Sequence, residues 1–424
     1  MSAAPPDATR EPDPPVDPPV AAPEVPLLTL RDGLPDVTAA RSELPALVER
    51  FAAGTGPFAI DAERASGYRY SQRAYLIQMR RVGAGSALVD PVGFGDVPNQ
   101  SLRALSDAVA DAEWVIHAAS QDLACLAGVG LQPRTLFDTE LAGRLLNYPR
   151  VGLAVLVEDL LGFRMRKEHS AVDWSKRPLP EPWLIYAALD VEMLVELRDV
   201  LAQQLADAGK AQWAAEEFAA WVTMVSYPAR KEPWRRTSGI HRVRGRRGLA
   251  VVRAMWQLRD ELARQRDITS NRIMADTTIV ETASAGPLSR NAMGRLPGFA
   301  TRSGQRYLRE FHHAVTVALE LADAELPATG AQHDGPPPPR SWADKSPEAA
   351  ARLGRCREAV SGLAELHDIP QENLLAPDAV RRLAWAPPQE TTAQDVAAAL
   401  RATGAREWQI SLTAADLADA LTGA

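Results

Sequence analysis

Short apolar runs separated by glycine, proline or charged turns fill the chain from about residue 27 to 205. Four of them, PFAID (57–61), AYLIQM (74–79), SALVD (86–90) and EWVIHA (113–118), have the length and side-chain content of strands. Between and after them, apolar residues recur with helical spacing over 100–112, 120–128, 138–146 and 152–161. The stretch LPEPWLIYAALDVEMLVELRDVLAQQL (179–205) predicts one long helix with Pro182 in its first turn. Strands alternating with helices predict an α/β domain.

From about residue 206 the strand signals fade and the pattern becomes almost wholly helical. HDGPPPPRSWADKSP (333–347) interrupts it with four consecutive prolines, expected as a stiff linker. The helical segments on its two sides resemble each other: RDITSNRIMADTTIVETA (266–283) aligns with HDIPQENLLAPDAVRRLA (367–384). Both read Asp-Ile, a polar turn, then an apolar periodic run, as expected for two copies of one helical module.

Composition narrows the class. The chain has 424 residues, 46% hydrophobic and 24% charged, which is ordinary for a globular protein of two or three domains. The first 26 residues are rich in proline and acids, with no apolar core segment, and are expected to be a disordered tail, not a signal peptide. Two cysteines far apart, Cys125 and Cys356, give no zinc or disulfide framework. No apolar run reaches the roughly 18 residues of a membrane span. The expectation is a cytoplasmic protein with no membrane partner.

Asp61 and Glu63 lie two residues apart at the end of the first strand run, so both point to one face. Two carboxylates so close repel each other unless something positive lies between them. Asp122 follows the EWVIHA strand, at a helix start that Ser120 could cap. Asp190 sits in the long helix one turn after Tyr186, so phenol and carboxylate are neighbours. Four hard oxygen donors with no clustered histidine or cysteine suit Mg2+ or Mn2+. Two such ions are a common device for in-line attack of water on a phosphodiester.

The order Asp-x-Glu, then Asp, then Tyr-x-x-x-Asp resembles the DEDD 3′–5′ exonucleases of ribonuclease H-like fold, and the tyrosine marks their DEDDy subclass. Within that group the chain most resembles the ribonuclease D family, through FDTELAGRLL (137–146) and DWSKRPLP (173–180). The helical part resembles the HRDC domain, in LRDELARQRDITSNRIMADTTIVETA and RLPGFATRSGQRYLREF. The resemblance implies an α/β ribonuclease H-like exonuclease domain followed by all-α HRDC-type domains. The expected boundaries are a tail over 1–26, the exonuclease domain over 27–228, and a basic linker with the first HRDC domain over 229–326. A proline-rich linker over 327–347 and a divergent second HRDC-like domain over 348–424 complete the chain.

By the same resemblance Asp61 bridges two divalent ions, Glu63 and Asp190 complete the nucleophile-side ion, Asp122 serves the other, and Tyr186 orients water. The implied activity is hydrolysis of RNA from a single-stranded 3′ end, releasing nucleoside 5′-monophosphates. Precursors such as tRNA are the implied substrates, with no cofactor beyond metal. A DNA exonuclease of the same mechanism and a noncatalytic RNA-binding protein are the alternatives.

The net charge of −7 argues against a uniformly basic surface but allows a local groove. Basic residues concentrate from Arg230 to Arg272, with Trp234 and Trp256 interleaved. Arg235, Arg236, Arg244, Arg246 and Arg247 are expected to contact phosphates, and Arg64, Tyr68 and Arg73, beside the acidic motif, to guide the 3′ end.

Overall fold

A computed structural model of the chain describes residues 25–166, 171–223, 231–330 and 335–423, so the expected N-terminal tail falls almost wholly outside the described residues. Its centre is a six-stranded sheet of β1 (Val37–Thr38), β2 (Thr55–Arg64), β3 (Ala74–Val82), β4 (Gly85–Val89), β5 (Glu113–Ile116) and β6 (Thr135–Asp138). The spatial order is β1-β4-β3-β2-β5-β6. β2, β3 and β4 form an antiparallel meander, while β5 runs parallel to β2 and β6 parallel to β5. All four expected strands form. The two unexpected ones, β1 and β6, are edge strands of two and four residues, too short to show a period of their own.

Helices cover both faces: α1 (Leu44–Ala52), α2 (Arg103–Ala108), α3 (Leu123–Ala127), α4 (Thr139–Leu145), α5 (Leu153–Leu161), α6 (Glu181–Glu192), α7 (Leu194–Asp207) and α8 (Ala211–Thr223). On one face Phe51, Phe58, Ile60 and Trp114 fill a core under α1 and α2, with Phe58 edge-on to Trp114 at 5.1 Å. On the other, Ala59 and Val115 meet Val191 and Leu194. The long helix expected over 179–205 is therefore two helices, broken at Met193. The break coincides with Arg31, whose guanidinium donates to the Glu192 carbonyl and pairs with the buried Glu192 carboxylate at 2.7 Å. Arg80 on β3 approaches the same carboxylate at 3.5 Å.

The helical half contains α9 (Gly245–Arg266), α10 (Ser270–Ile273), α11 (Asp276–Ala285), α12 (Arg290–Met293), α13 (Arg302–Arg306) and α14 (Leu308–Glu320). A second set follows: α15 (Trp342–Lys345), α16 (Pro347–Leu366), α17 (Gln371–Leu374), α18 (Pro377–Trp385), α19 (Ala393–Ala402) and α20 (Glu407–Thr422). The sequence repeat is a structural one. Helix α9 ends at Asp267 with φ 46° and α16 is followed by Asp368 with φ 48°, both left-handed. The starts of α10 and α17, and of α11 and α18, keep the 101-residue offset that separates these aspartates.

The first module has a core of its own, built on Met255, Ile279, Phe299 and Phe311. Among the described residues the second has no separate core. Its Trp342, Leu353, Leu383, Trp408 and Leu417 join one continuous core with Phe137, Leu156, Leu201 and Phe218 of the exonuclease half. The expected stiff linker is part of this body where it is described. Trp342 is fully buried, donates its indole N–H to the Pro337 carbonyl at 2.7 Å and meets Trp385 at 4.8 Å.

Candidate active site

β2 and β5 are parallel neighbours, so their C-terminal ends open onto the same edge of the sheet. Asp61 and Glu63 project from the end of β2, and the chain leaving β5 carries Asp122. Across this edge lies α6 with Tyr186 and Asp190. All five side chains line one cavity of about 470 Å³. Carboxylate oxygens of Asp61, Glu63 and Asp190 come within 4.8 Å of one another. Asp122 is 5% exposed, with Oδ1 3.5 Å from Nε of Arg64, and interacts with Asp61.

Burial pushes the Glu63, Asp122 and Asp190 carboxyls well above the ordinary carboxylate range, and the charge of Asp61 adds to this in each case. Burial raises Asp61 too, against backbone and side-chain hydrogen bonds that lower it. Arg64 is the one arginine or lysine lining the cavity among the described residues. One guanidinium cannot neutralise four carboxylates, and the donors are all hard oxygens, so the set fits divalent Mg2+ or Mn2+. Tyr186 hydrogen-bonds Asp190, and burial, then the charges of Asp190, Glu63 and Asp61, raise its phenol above the ordinary value of 10. It stays protonated at working pH.

Ser120 does not cap the helix that follows. It lies in a 3-10 turn, Ala119–Gln121, and Asp122 joins that turn to α3. Among the site residues that the sequence does not single out are Gln78 and His117. Gln78, directly opposite Asp61 in the β2–β3 register, is fully buried and donates its amide to Asp61. Its signal was the one polar side chain in the AYLIQM strand. His117 also lines the cavity; burial lowers its imidazole to about 4, so it is neutral there.

The expected nucleic-acid contacts separate into two groups. Arg64 and Tyr68 line the carboxylate cavity. Arg73 does not; it lies over the Tyr75 ring at 5.6 Å and donates to the Gly95 carbonyl at 3.5 Å. Arg235 pairs with Glu232 at 2.6 Å and covers the buried Trp234 ring. Arg246 donates to the Asp323, Leu326 and Pro327 carbonyls, and Arg247 to Leu319, Leu321 and the Asp323 carboxylate. These three arginines close the first module on itself, so the sequence cluster does not translate into one binding face. Arg236 and Arg244 are exposed and line neither the cavity nor the cleft beside it.

That cleft, about 900 Å³, shares Tyr68 with the carboxylate cavity and lies between the exonuclease half and the first module. Five arginines and a single aspartate line it among the described residues. Arg272 lies over the Tyr68 ring at 4.6 Å, while Arg266 and Arg306 lie over Tyr307 at 5.4 and 5.5 Å. Arg302 and Arg306 are beyond the basic run picked out in the sequence, and only folding brings them to it.

Comparison with known proteins places this geometry. Residues 37–206 match the family model described as 3'-5' exonuclease, 248–315 the HRDC domain, and 335–421 the 3' to 5' exonuclease C-terminal domain. A ribonuclease D of Gluconacetobacter diazotrophicus is 30% identical over 379 residues, covering 85% of this chain and 89% of the relative. The chain belongs to the ribonuclease D family. A second ribonuclease D, from Acidiphilium cryptum, is 32% identical over 262 residues, 60% of this chain and 66% of the relative. A crystal structure of a protein from Bifidobacterium adolescentis superposes with a TM-score of 0.84 at 36% identity, over 94% of this chain and all of that one. Escherichia coli RNase D shares the fold at 23% identity, with a TM-score of 0.68 over 92% of this chain and 99% of that chain. As a member of the ribonuclease D family the chain is a 3′–5′ exoribonuclease, an α/β exonuclease core followed by a helical HRDC region. No described helix is long and apolar enough to cross a membrane.

Proposed function

We propose that the chain removes nucleotides one at a time from a single-stranded RNA 3′ end by two-metal hydrolysis, acting in the cytoplasm on structured precursors such as tRNA. The observation that carries the reading is the convergence of Asp61, Glu63 and Asp190 oxygens within 4.8 Å, in a cavity that Asp122 and Tyr186 complete. Asp61, Glu63 and Asp190 would hold one ion, with Asp61 and Asp122 holding the other. When bound, the pair supplies the charge that lowers the pKa of the attacking water and stabilises the leaving oxygen. Gln78 fixes Asp61 from the neighbouring strand. The protonated Tyr186 hydroxyl orients water and does not take its proton.

The cleft beside the cavity supports an RNA substrate. None of Arg266, Arg272, Arg302 and Arg306 forms an ion pair with a described residue, so their charge is free for phosphates, and Tyr68 and Tyr307 offer faces for bases. We read residues 27–228 as the catalytic domain and 229–326 as a module whose inner face receives the strand upstream of the scissile bond. The residues from 348 act as a buttress. The test offers matched 3′-labelled and 5′-labelled RNA and DNA strands to EDTA-stripped protein with Mg2+ or Mn2+ restored. Monophosphates released from the 3′ label first, from RNA, are expected. Release from the 5′ label first, or turnover without added ion, overturns the reading, and a preference for DNA overturns its substrate.

A further inference from the structure

The stretch FDTELAGRLL contributes no side chain to the carboxylate set, yet its Asp138 is 3% exposed and saturated with hydrogen bonds. Its Oδ1 accepts from the amides of Glu140 at 2.9 Å and Leu141 at 3.2 Å, an ordinary N-cap for α4. The rest of its bonding is not local. Oδ1 also accepts from the Ala118 amide at 3.0 Å, and Oδ2 from the Ala119 amide at 2.9 Å. Next to it Thr139, fully buried, contacts Nδ1 of His117 through its hydroxyl at 2.9 Å. The Asp138–Thr139 pair at the end of β6 thus grips three successive residues leaving β5, whose Ile116 is its register partner.

The gripped turn is strained. Ala118 has φ 58° and ψ 50°, a left-handed conformation that an L-residue with a Cβ adopts only when its surroundings impose it. From that residue the chain builds directly to the site: the Gln121 amide donates to the Ala118 carbonyl at 2.9 Å and the Asp122 amide to the Ala119 carbonyl at 3.1 Å. Burial pushes the Asp138 carboxyl up to about 6, so at neutral pH both its oxygens act as acceptors.

We propose that Asp138 is a positioning residue that holds Ala118 left-handed and thereby keeps Asp122 where, with Asp61, it would hold a second divalent ion. The inference rests on Asp122 being a ligand, and the experiment separates the two. Mn2+ bound per chain and its affinities are counted by EPR on the full, folded, EDTA-stripped protein, for Asp122→Asn, Asp138→Asn, Ala118→Gly and the Asp138→Asn/Ala118→Gly double variant. In Asp138→Asn an amide N–H would face the Ala119 N–H. The weaker Mn2+ is expected to bind at least ~10-fold less tightly, as when a group that orients a ligand is lost, while the tighter one is unchanged.

Glycine reaches the left-handed region without help. The double variant is therefore expected to regain affinity for the weaker ion beyond anything Ala118→Gly adds alone, a coupling that a merely structural loss would not produce. Ala118→Val, which attacks the same turn without touching the buried carboxylate, is expected to lose the same ion and decides the matter if Asp138→Asn does not fold. Loss of the weaker ion in Asp122→Asn but full affinity in Asp138→Asn overturns the positioning role alone. Two intact ions in Asp122→Asn overturn the ligand reading and this inference with it.

Discussion

Asp267 and Asp368 stand at the same place in two successive helical modules, and each turns the chain onto the exonuclease half, but they meet it differently. Asp267 accepts from the Ser71 amide at 2.7 Å and the Tyr75 hydroxyl at 3.3 Å, beside the Tyr68 carbonyl that receives the Thr269 amide. Asp368 receives Asn147 at 2.6 Å, and its carbonyl receives Lys210 at 2.7 Å. Around Asp368 the polar contact sits on a shared apolar core. Around Asp267 there is little apolar backing, with Tyr70 the one exonuclease side chain packed against the module's core among the described residues. The lesson is one of division. One copy is fused to the exonuclease half by burial, and the other is docked on it mainly by hydrogen bonds.

The largest expected effect tests the fused side. Trp408 stacks on Trp213 at 4.8 Å and 14°, and its indole donates to Glu217 at 3.1 Å. Trp408→Ala should cost about 3–5 kcal/mol, and the catalytic half should melt in the same denaturant transition as the second module. Two separate transitions would break the claim of one core.

A comparable cut in the docked copy should stay local. Phe311 is fully buried and edge-on to Phe299 at 5.9 Å, so Phe311→Ala should loosen the first module by a similar about 3–5 kcal/mol. Hydrogen exchange should rise in α9, α11 and α14, with hydrolysis of a short oligonucleotide retained. Exchange rising equally through β2 and α6 would show that the two copies are not divided as described.

Smaller again is the effect of surface charge. The triple change Arg266→Ala, Arg272→Ala, Arg306→Ala should flatten the log–log salt dependence of single-stranded RNA binding by about 2, at roughly 0.7 per lost phosphate contact. Arg236→Ala with Arg244→Ala should leave the slope where it was. The reverse pattern would place the RNA away from the cleft.

The smallest effect is in the docking aspartate. Burial would raise Asp267, but hydrogen bonds from the Ser71 amide and hydroxyl and from Tyr75 outweigh it, so its carboxyl is held below the ordinary value of 3.8. A depressed folded pKa gives stability that is present above the unfolded value and lost as pH falls through the folded one. Docking of the first module should therefore weaken only below about pH 4, and Asp267→Asn should cost about 1 kcal/mol. The metal-free site carboxylates have the opposite sign. Raised in the folded state, they contribute stability below about pH 4 that is lost as pH rises through their folded values, so the Tm of stripped protein should fall with rising pH and recover with Mn2+. A Tm insensitive to Mn2+ at neutral pH would contradict this.

Much of this was legible in the sequence because the chemistry is periodic. Asp61 and Glu63 share a face through the strand repeat, and Tyr186 and Asp190 through the helix repeat, so local spacing carried two pairs of the constellation and left only Asp122 to context. The repeat at 266–283 and 367–384 was legible for the same reason. The arginines were not, because a run of charge does not say where each guanidinium points. Arg247 turned inward to carbonyls at the end of α14 and Arg246 to carbonyls of the segment after it, while Arg302 and Arg306 came to the cleft from a different helix. Nor could periodicity show that the second copy shares a core, since an apolar helix face reads the same whichever partner covers it.

The buried Glu192 carries a practical warning for anyone dissecting the molecule. Likeness to the exonuclease family model begins at residue 37, and a fragment trimmed there would keep every motif residue. It would also discard Arg31 and leave a buried carboxylate facing Arg80 alone, in the helix turn that carries Asp190. Arg31 is 45% exposed and Arg80 remains, so the loss should cost less than the about 3–5 kcal/mol of breaking a fully buried pair. A fragment that keeps this pair has to start upstream of the recognisable domain, near the point where the Leu28 amide donates to the Arg164 carbonyl at 2.9 Å.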